Sequence, residues 1–267
     1  MTARHSRTAE PQAEALTLLE LLVVLAIISL LLAIFSPSLR YVDRHVKETV
    51  CATDTGTLVE AAIMYATDDS AGWMPDLSVN PDTGSLLGQG PYWTWPHWRR
   101  TFENSYGVSH RHWYSMSNPK WGLDRFYYWG WNGSDPDTAT HMVMGRYFFG
   151  SERKMNSDYV RSRLIDVPDN PNMKLFPSRL YGESYYRMLW TDLNRQWPES
   201  ATDDWWVTPG DPYRWGANHL YDGDKGDPNY GNWPRGSHVG YVDGSVGWTP
   251  GSEIIYRLSF GGAEMYW

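Results

Sequence analysis

Hydrophobic and polar positions divide the chain into one long apolar stretch and a polar remainder. From Leu16 to Leu39 the only charged residue is Glu20, and the run from Leu21 to Phe35 carries no charge. A bilayer core requires about 20 largely apolar residues in a helix. The stretch therefore predicts one membrane-spanning helix, and no later segment has a comparable length.

The pattern beyond this stretch predicts that the helix continues outside the membrane. Residues 38–66 contain no proline, and their apolar or small side chains recur at helical spacing. A helix from Leu16 to about Ala66 would be roughly 75 Å long at 1.5 Å per residue. We expect Pro37 to kink it by removing a backbone donor, and Gly56 to be a second weak point.

From Pro75 to Trp267 the pattern changes to short aromatic runs separated by Gly, Pro, Asp and Asn. Such runs predict short strands. The best strand candidates are residues 123–129, 141–149, 184–190 and 253–259. Asp243-Gly244, between apolar runs, predicts a hairpin with a two-residue turn in which both residues need positive φ.

These patterns give an expected α+β fold, in which a long transmembrane helix packs on a small, antiparallel, β-rich and loop-rich head. The expected boundaries are a leader at 1–15, a transmembrane helix at 16–37, an amphipathic helix at 38–74 and a Trp-rich head at 75–267.

Composition narrows the possible functions. The 267 residues include 23 Lys and Arg against 31 Asp and Glu, a formal net charge of -8. This balance argues against nucleic-acid binding, which needs a basic face. The single Cys51 excludes an internal disulfide framework and any zinc site with two thiolates. A lone helical Cys is more often a small packed hydrophobic residue than a reactive thiol.

The apolar stretch has three interpretations: a secretory signal, a plain anchor, or a more specialised segment. Its apolar run is longer than the 7–15 residues typical of a signal peptide. A carboxylate inside a membrane costs about 2.5–3.5 kcal/mol on insertion scales, so Glu20 suggests a function. The alternative is that Glu20 reaches the aqueous interface from near one end of the span.

The residues Ala15-Leu16-Thr17-Leu18-Leu19-Glu20 resemble the cleavage motif of type IV prepilins. That family has Gly before the cut and Phe-Thr-Leu-Ile-Glu after it. The resemblance implies that prepilin peptidase cuts between Ala15 and Leu16 and methylates the new amine. It also makes Glu20 the assembly glutamate, and Pro37 falls where many pilins have a helix-kinking proline.

Two further regions resemble the H-X9-DG processing-associated subgroup of pilin-like proteins. One is the helix from Cys51 to Pro75, and the other is Asp243-Gly244-Ser245-Val246 near the C-terminus. Trp233 stands where the subgroup has its His, so we take His219 as the displaced counterpart, followed by a longer acidic loop.

The resemblance implies a structural subunit of a type IV pilus-like or type II secretion pseudopilus. Its partners would be prepilin peptidase and other pilin or pseudopilin subunits, and it would sit in the inner membrane with its head in the periplasm or at the cell surface. The assembled helices would pair Glu20 with the Leu16 amine of a neighbouring subunit. The sequence leaves the choice between pilus and secretion system open.

Two groups of residues are candidate metal ligands. Asp222, Asp224 and Asp227 alternate with glycines in the acidic loop, as oxygen ligands of Ca²⁺ would, and many pseudopilins hold Ca²⁺ in a C-terminal loop. The alternative is a solvated acidic turn, and no cofactor is required by the sequence. His110 and His112 would lie on one face of a strand, but a structural role is more typical of such a pair.

The aromatic content raises an alternative function. Residues 88–135 contain seven Trp, which could form a surface for polysaccharide or a protein partner, or build the core of the head. The second function hypothesis is therefore a membrane-anchored binding module. Nucleophile-elbow, zinc-protease and phosphate-loop motifs are absent from the sequence, so we expect no enzymatic activity.

Overall fold

The computed structural model describes residues 18–87, 91–118, 142–196, 215–219, 234–260 and 263–267. The chain divides into two compact units, Met1–Val46 and Lys47–Trp267. The described elements are one long helix, several short helices and antiparallel strands. The expected α+β class is therefore confirmed.

The long helix α1 extends from Leu18 to Asp68 and continues through both Pro37 and Gly56. Its C-terminal end is fixed by Asp69, whose side-chain carboxylate accepts hydrogen bonds from the backbone N–H groups of Ala71 and Trp73. Gly72 then adopts a φ of +69°, a left-handed conformation that glycine reaches without steric strain. The helix therefore ends close to the position that the sequence predicts.

The remaining elements are short. In chain order they are β1 (Trp93–Thr94), α2 (Pro96–Ser105), a 3-10 turn (His110–Trp113), β2 (Met142–Val143), β3 (Arg146–Phe148), α3 (Glu152–Met155), α4 (Asp158–Arg161), β4 (Met188–Asp192), β5 (Asn194–Gln196), β6 (Trp215–Ala217), β7 (Gly236–Tyr241), β8 (Val246–Pro250), a second 3-10 turn (Gly251–Glu253), β9 (Tyr256–Phe260) and β10 (Ala263–Tyr266).

All strand pairs among the described residues are antiparallel. One four-stranded sheet has the order β3-β4-β7-β8, and a second has the order β6-β5-β10-β9. Strands β1 and β2 form a separate pair. The neighbours β4 and β7 are distant in sequence, so the first sheet depends on long-range pairing.

Two of the four strand candidates are confirmed in large part. The candidate 141–149 contains both β2 and β3, and 253–259 overlaps most of β9. The candidate 184–190 contributes only its last residues to β4. The fourth candidate, 123–129, lies outside the described residues.

The hairpin is present, but its turn differs from the expected one. Strands β7 and β8 pair with Gly240 opposite Val246. Gly244 has a φ of +90°, whereas no non-glycine residue that the structure describes has a positive φ. The amide of Gly244 donates to the carbonyl of Tyr241 at 3.0 Å. The expectation of positive φ at Asp243 is therefore wrong, because a three-residue loop at 242–244, in which glycine alone takes positive φ, replaces the two-residue turn.

The second part of α1 packs closely on this hairpin. A Cβ added at Gly240 of β7 would lie 2.3 Å from Val59 and 3.2 Å from Thr55. Gly56 faces Val246 of β8, where an added Cβ would have an ordinary contact at 3.7 Å. The small residue on β7 thus allows the helix and the sheet to approach each other. The buried residues of α1 are Cys51, Asp54, Thr55, Leu58, Val59, Ala61, Ala62 and Ala66.

Aromatic side chains fill the interior of the head. Trp190 of β4 is fully buried, with its ring centroid 4.7 Å from that of Phe148 and 6.1 Å from that of Trp113. Trp93 and Trp98 are also buried. Because aromatic rings bury large apolar areas, these contacts stabilise a head made of short elements.

Candidate functional site

The first part of α1 presents an apolar surface. Its large hydrophobic side chains are exposed, for example 82% for Leu18 and 63% for Leu32. Within the described ranges, α1 is the one helix long and apolar enough to cross a membrane, and none of its most apolar window is buried. Exposed apolar surface of this extent is unfavourable in water, so lipid or another apolar helix is its natural environment.

The residues expected to act in processing precede α1, and those expected to act in assembly lie within it. Glu20 is in the first turn and is exposed, and Pro37 is inside the helix. Ala15 and Leu16 lie outside the described residues. The processing site therefore stays a prediction from the sequence.

The other candidate residues belong to the acidic loop and to the hairpin turn. Asp222, Asp224 and Asp227 lie outside the described residues, so the Ca²⁺ site also stays a prediction. Asp243 and Gly244 form the exposed hairpin turn, and the Asp243 carboxylate accepts hydrogen bonds from the amide and hydroxyl of Ser245.

The pair His110 and His112 is not on a strand. Both residues belong to a 3-10 turn, in which His110 is exposed and His112 is buried. Nε2 of His112 lies 3.6 Å from a carboxylate oxygen of Asp54. Burial, with the nearby charges of Arg111 and Arg146, lowers the pKa of His112 to about 4. The strand expected here is wrong, and the two imidazoles have different environments.

The tryptophans of the aromatic region divide by burial. Trp93, Trp98 and Trp113 are 6%, 7% and 0% exposed, so they contribute to the core rather than to a binding surface. Trp121, Trp129 and Trp131 lie outside the described residues. Trp95 is partly buried, and its indole N–H donates to the carbonyl of Ser78 at 3.0 Å. The polysaccharide-binding alternative for the Trp-rich head stays a prediction.

A buried cluster of polar side chains lies between α1 and the first sheet. Cys51 belongs to α1, Asp192 ends β4, His219 follows β6 and His238 belongs to β7. One potential ligand atom from each of the four residues lies within 4.8 Å of the other three. We refer to these four residues as the Cys51 cluster.

Backbone pairing explains why these residues meet. Thr191 of β4 pairs with Val239 of β7, so the adjacent Asp192 and His238 are neighbours. The His238 amide donates to Asp192 Oδ2 at 2.7 Å, and His238 Nδ1 lies 3.1 Å from the same oxygen. His219 is placed by backbone hydrogen bonds of its own segment, including one from the amide of Arg235 to the His219 carbonyl.

Arg146 supports the cluster from the other side of Asp192. It pairs directly with Asp192 across β3 and β4, and its Nη1 donates to Asp192 Oδ1 at 2.7 Å. Its Nη2 donates to Cys51 Sγ at 3.2 Å. The Asn218 side-chain amide also donates to Oδ1, at 2.9 Å. Oδ1 is thus saturated by donors, while Oδ2 faces the two imidazoles.

The charges in this region are strongly coupled. Burial alone would raise the pKa of Asp192, but the neighbouring charges of His219 and Arg146 and the hydrogen bonds from His238 hold it well below its usual range. Burial also opposes the charged form of His238, yet its hydrogen bond to Asp192 raises the pKa of that imidazole. Asp192 is therefore an ionised carboxylate in a buried setting.

Sequence reasoning selected His219 and placed Cys51 on the helix, but it missed Asp192, His238 and Arg146. The expectation that Cys51 is packed is confirmed, since it is 1% exposed, although its neighbours are polar rather than apolar. The position of Asp192 at the end of the aromatic strand β4 was the sequence feature that could have indicated a functional carboxylate. Its partner could not be deduced, because the pairing of β4 with β7 is long-range.

Comparison with known proteins does not assign this chain to a family. No protein-family model, curated protein or solved structure has a significant match to it.

Proposed function

We propose that this chain is a pilin-like or pseudopilin-like assembly subunit, anchored by one membrane helix and processed and N-methylated by prepilin peptidase. The observation that carries the proposal is the apolar, exposed first part of α1 in the same helix whose second part is buried in the head. A subunit of this kind needs one helix surface for lipid and for neighbouring helices, and another for its own head.

The position of Glu20 supports the assembly step. A carboxylate near the end of an apolar segment is costly in lipid unless a cation compensates it. The proposed cation is the Leu16 amine of a neighbouring subunit, created when the leader is removed after Ala15. Assembly would then depend on processing, because the amine does not exist at that position in the uncleaved chain.

The processing step is tested by the intact mass and N-terminal sequence of the protein extracted from its native membrane. We expect a chain that begins at methylated Leu16. A chain that retains residues 1–15 would make the protein a plain anchor, and a start beyond Pro37 would mean a secreted protein. Either result would contradict the proposal.

The assembly step is tested by Glu20→Ala, with Ser29→Ala as a matched control in the same apolar segment. Ser29 is polar but uncharged, and its hydroxyl donates to the carbonyl of Leu25 within the helix. We expect Glu20→Ala to insert into the membrane without being incorporated into filaments, whereas Ser29→Ala is incorporated normally. Normal incorporation of Glu20→Ala would reject the pairing mechanism.

A further inference from the structure

We propose that Cys51, Asp192, His219 and His238 form a binding site for one zinc ion inside the head. The four residues come from α1, β4, the segment after β6, and β7, and all four are buried. A single metal would therefore connect the helix to the sheet. This inference does not depend on pilus or pseudopilus assembly.

The donor set suits zinc. A thiolate, a carboxylate and two imidazoles are the ligand types of tetrahedral zinc sites. Hard cations such as Ca²⁺ and Mg²⁺ prefer oxygen ligands, so a sulfur and two nitrogens argue against them. The site needs only one thiolate and is consistent with a chain that has one cysteine.

The distances are close to those of a tetrahedral site. Ligand bonds of 2.0–2.3 Å place neighbouring ligand atoms roughly 3.3–3.6 Å apart in a tetrahedron. Here His238 Nδ1 and His219 Nε2 lie 3.1 and 3.2 Å from Asp192 Oδ2. All four ligand atoms are within 4.8 Å of one another. Small side-chain movements would therefore be enough to complete the site.

His219 supplies an independent indication of a ligand. The residue is 4% exposed, and its Nε2 has no hydrogen-bond partner among the described residues. The 3.2 Å separation from Asp192 Oδ2 is within ion-pair distance, but the direction does not make a hydrogen bond. A buried imidazole nitrogen whose contact with Oδ2 lacks good hydrogen-bond geometry is incompletely satisfied, and a metal beside Oδ2 would give it a direct bond.

Neighbouring groups would hold the ligands in place. Arg146 donates to both Cys51 Sγ and Asp192 Oδ1, and Asn218 donates to Oδ1. Hydrogen bonds of this type orient metal ligands and tune their charge. The Trp248 ring packs against both imidazoles, with centroids 5.3 Å from His219 and 4.7 Å from His238.

The charges balance when the metal binds. Zn²⁺ displaces to solvent the thiol proton of Cys51 and any proton on His219 Nε2 or His238 Nδ1, so the ion, the thiolate, the Asp192 carboxylate and two neutral imidazoles together carry no net charge. Asp54 is a further negative neighbour of Arg146 and one of the charges that raise its pKa.

The test uses the full-length chain, purified in detergent without chelators. We expect about one zinc per chain by elemental analysis. Substitution by Co²⁺ should give the visible bands of a tetrahedral ion and a thiolate-to-cobalt charge-transfer band. The absence of stoichiometric zinc uptake, the absence of the thiolate band, or uptake of copper alone would each overturn the proposal.

Variants locate the metal. Cys51→Ala and His219→Gln should each lower zinc affinity by more than about 100-fold, and Arg146→Lys by about 10–100-fold. The matched control is His110→Gln, which removes an exposed imidazole of the same chain and should leave the affinity unchanged. If Cys51→Ala and His219→Gln bind zinc as tightly as the original chain, the ion lies elsewhere and the proposal is wrong. If these variants fail to fold, the cobalt spectrum of the unaltered chain decides.

Discussion

The two parts of α1 have opposite surroundings. In the first part, from Leu18 to Val46, apolar side chains are exposed and the charged Glu20 lies near the end. In the second part, from Lys47 to Asp68, the buried face includes Cys51 and Asp54 beside Leu58. The first part is thus richer in apolar residues but exposed. The second part is buried on one face, although that face includes polar residues.

This contrast shows that whether a side chain of α1 is buried in the head depends on hydrogen-bonding groups around it as much as on its hydrophobicity. Cys51 and Thr55 are satisfied in their buried positions, because the Cys51 thiol donates to Asp192 and Arg146 donates to the Thr55 hydroxyl. The apolar part of the helix has large exposed side chains, so we expect it to be stabilised by lipid or by other helices.

Arg146→Met tests whether paired charges maintain the buried polar face. The substitution leaves the buried Asp192 carboxylate without its closest cation and should lower the free energy of unfolding by about 3–5 kcal/mol. Denaturant unfolding of the full chain in detergent, followed by Trp fluorescence, measures this. Arg100→Met, at an exposed position of α2, should change stability by less than about 0.5 kcal/mol. Equal effects of the two substitutions would show that the buried ion pair of Arg146 and Asp192 contributes little to the free energy of unfolding.

Ile28→Arg tests whether the exposed part of the helix belongs in lipid. A charged residue at the centre of a span should disfavour insertion by about 2.5–3.5 kcal/mol. We expect the variant to be extracted from membranes by alkaline carbonate, while Ile28→Leu stays in the membrane fraction. Unfolding of the head should be the same in both variants. Retention of Ile28→Arg in the membrane would contradict a spanning role for this segment.

A buried lysine provides a pH-dependent test of the head. Lys154 is 4% exposed, and burial lowers its pKa from 10.5 to about 7. Between these values the unfolded chain binds more protons than the folded chain, so stability should rise with pH by up to about 1.4 kcal/mol per unit. From pH 7 to 9 we expect a gain of about 2 kcal/mol in the free energy of unfolding.

The control for this pH dependence is Lys154→Met, which removes the titrating group and retains an apolar side chain of similar length. We expect it to be more stable than the original chain at pH 7 and to lose most of the slope between pH 7 and 9. An unchanged slope would assign the pH dependence to another group.

Sequence reasoning predicted the parts of the fold that depend on local pattern. The helix from about Leu16 to Ala66 and the hairpin around Gly244 were correct in position, because periodicity and turn residues are local signals. The turn geometry was wrong, since Asp243 does not adopt positive φ. The local sequence could not show which type of hairpin turn forms here, because the expected turn and the observed turn both end in glycine.

The Cys51 cluster could not be predicted in the same way. Cys51, Asp192, His219 and His238 come from four separate elements, and their meeting depends on the pairing of β4 with β7 and on the packing of α1. None of the four has a sequence spacing typical of a metal site. Only Cys51 and His219 stood out, each for a different reason.

The smallest expected effects come from two glycines at the contact between α1 and the hairpin, and they should have opposite signs. Gly240→Ala places a methyl group 2.3 Å from Val59, so we expect it to lower the free energy of unfolding by about 1–3 kcal/mol. Gly56→Ala introduces only a 3.7 Å contact with Val246 and replaces a glycine inside a helix. It should therefore raise stability by about 0.5–1 kcal/mol. Denaturant unfolding of the two variants side by side measures both changes. A Gly240→Ala variant as stable as the original chain would mean that the helix does not approach β7 as closely as described, and the close packing of its second part would have to be abandoned.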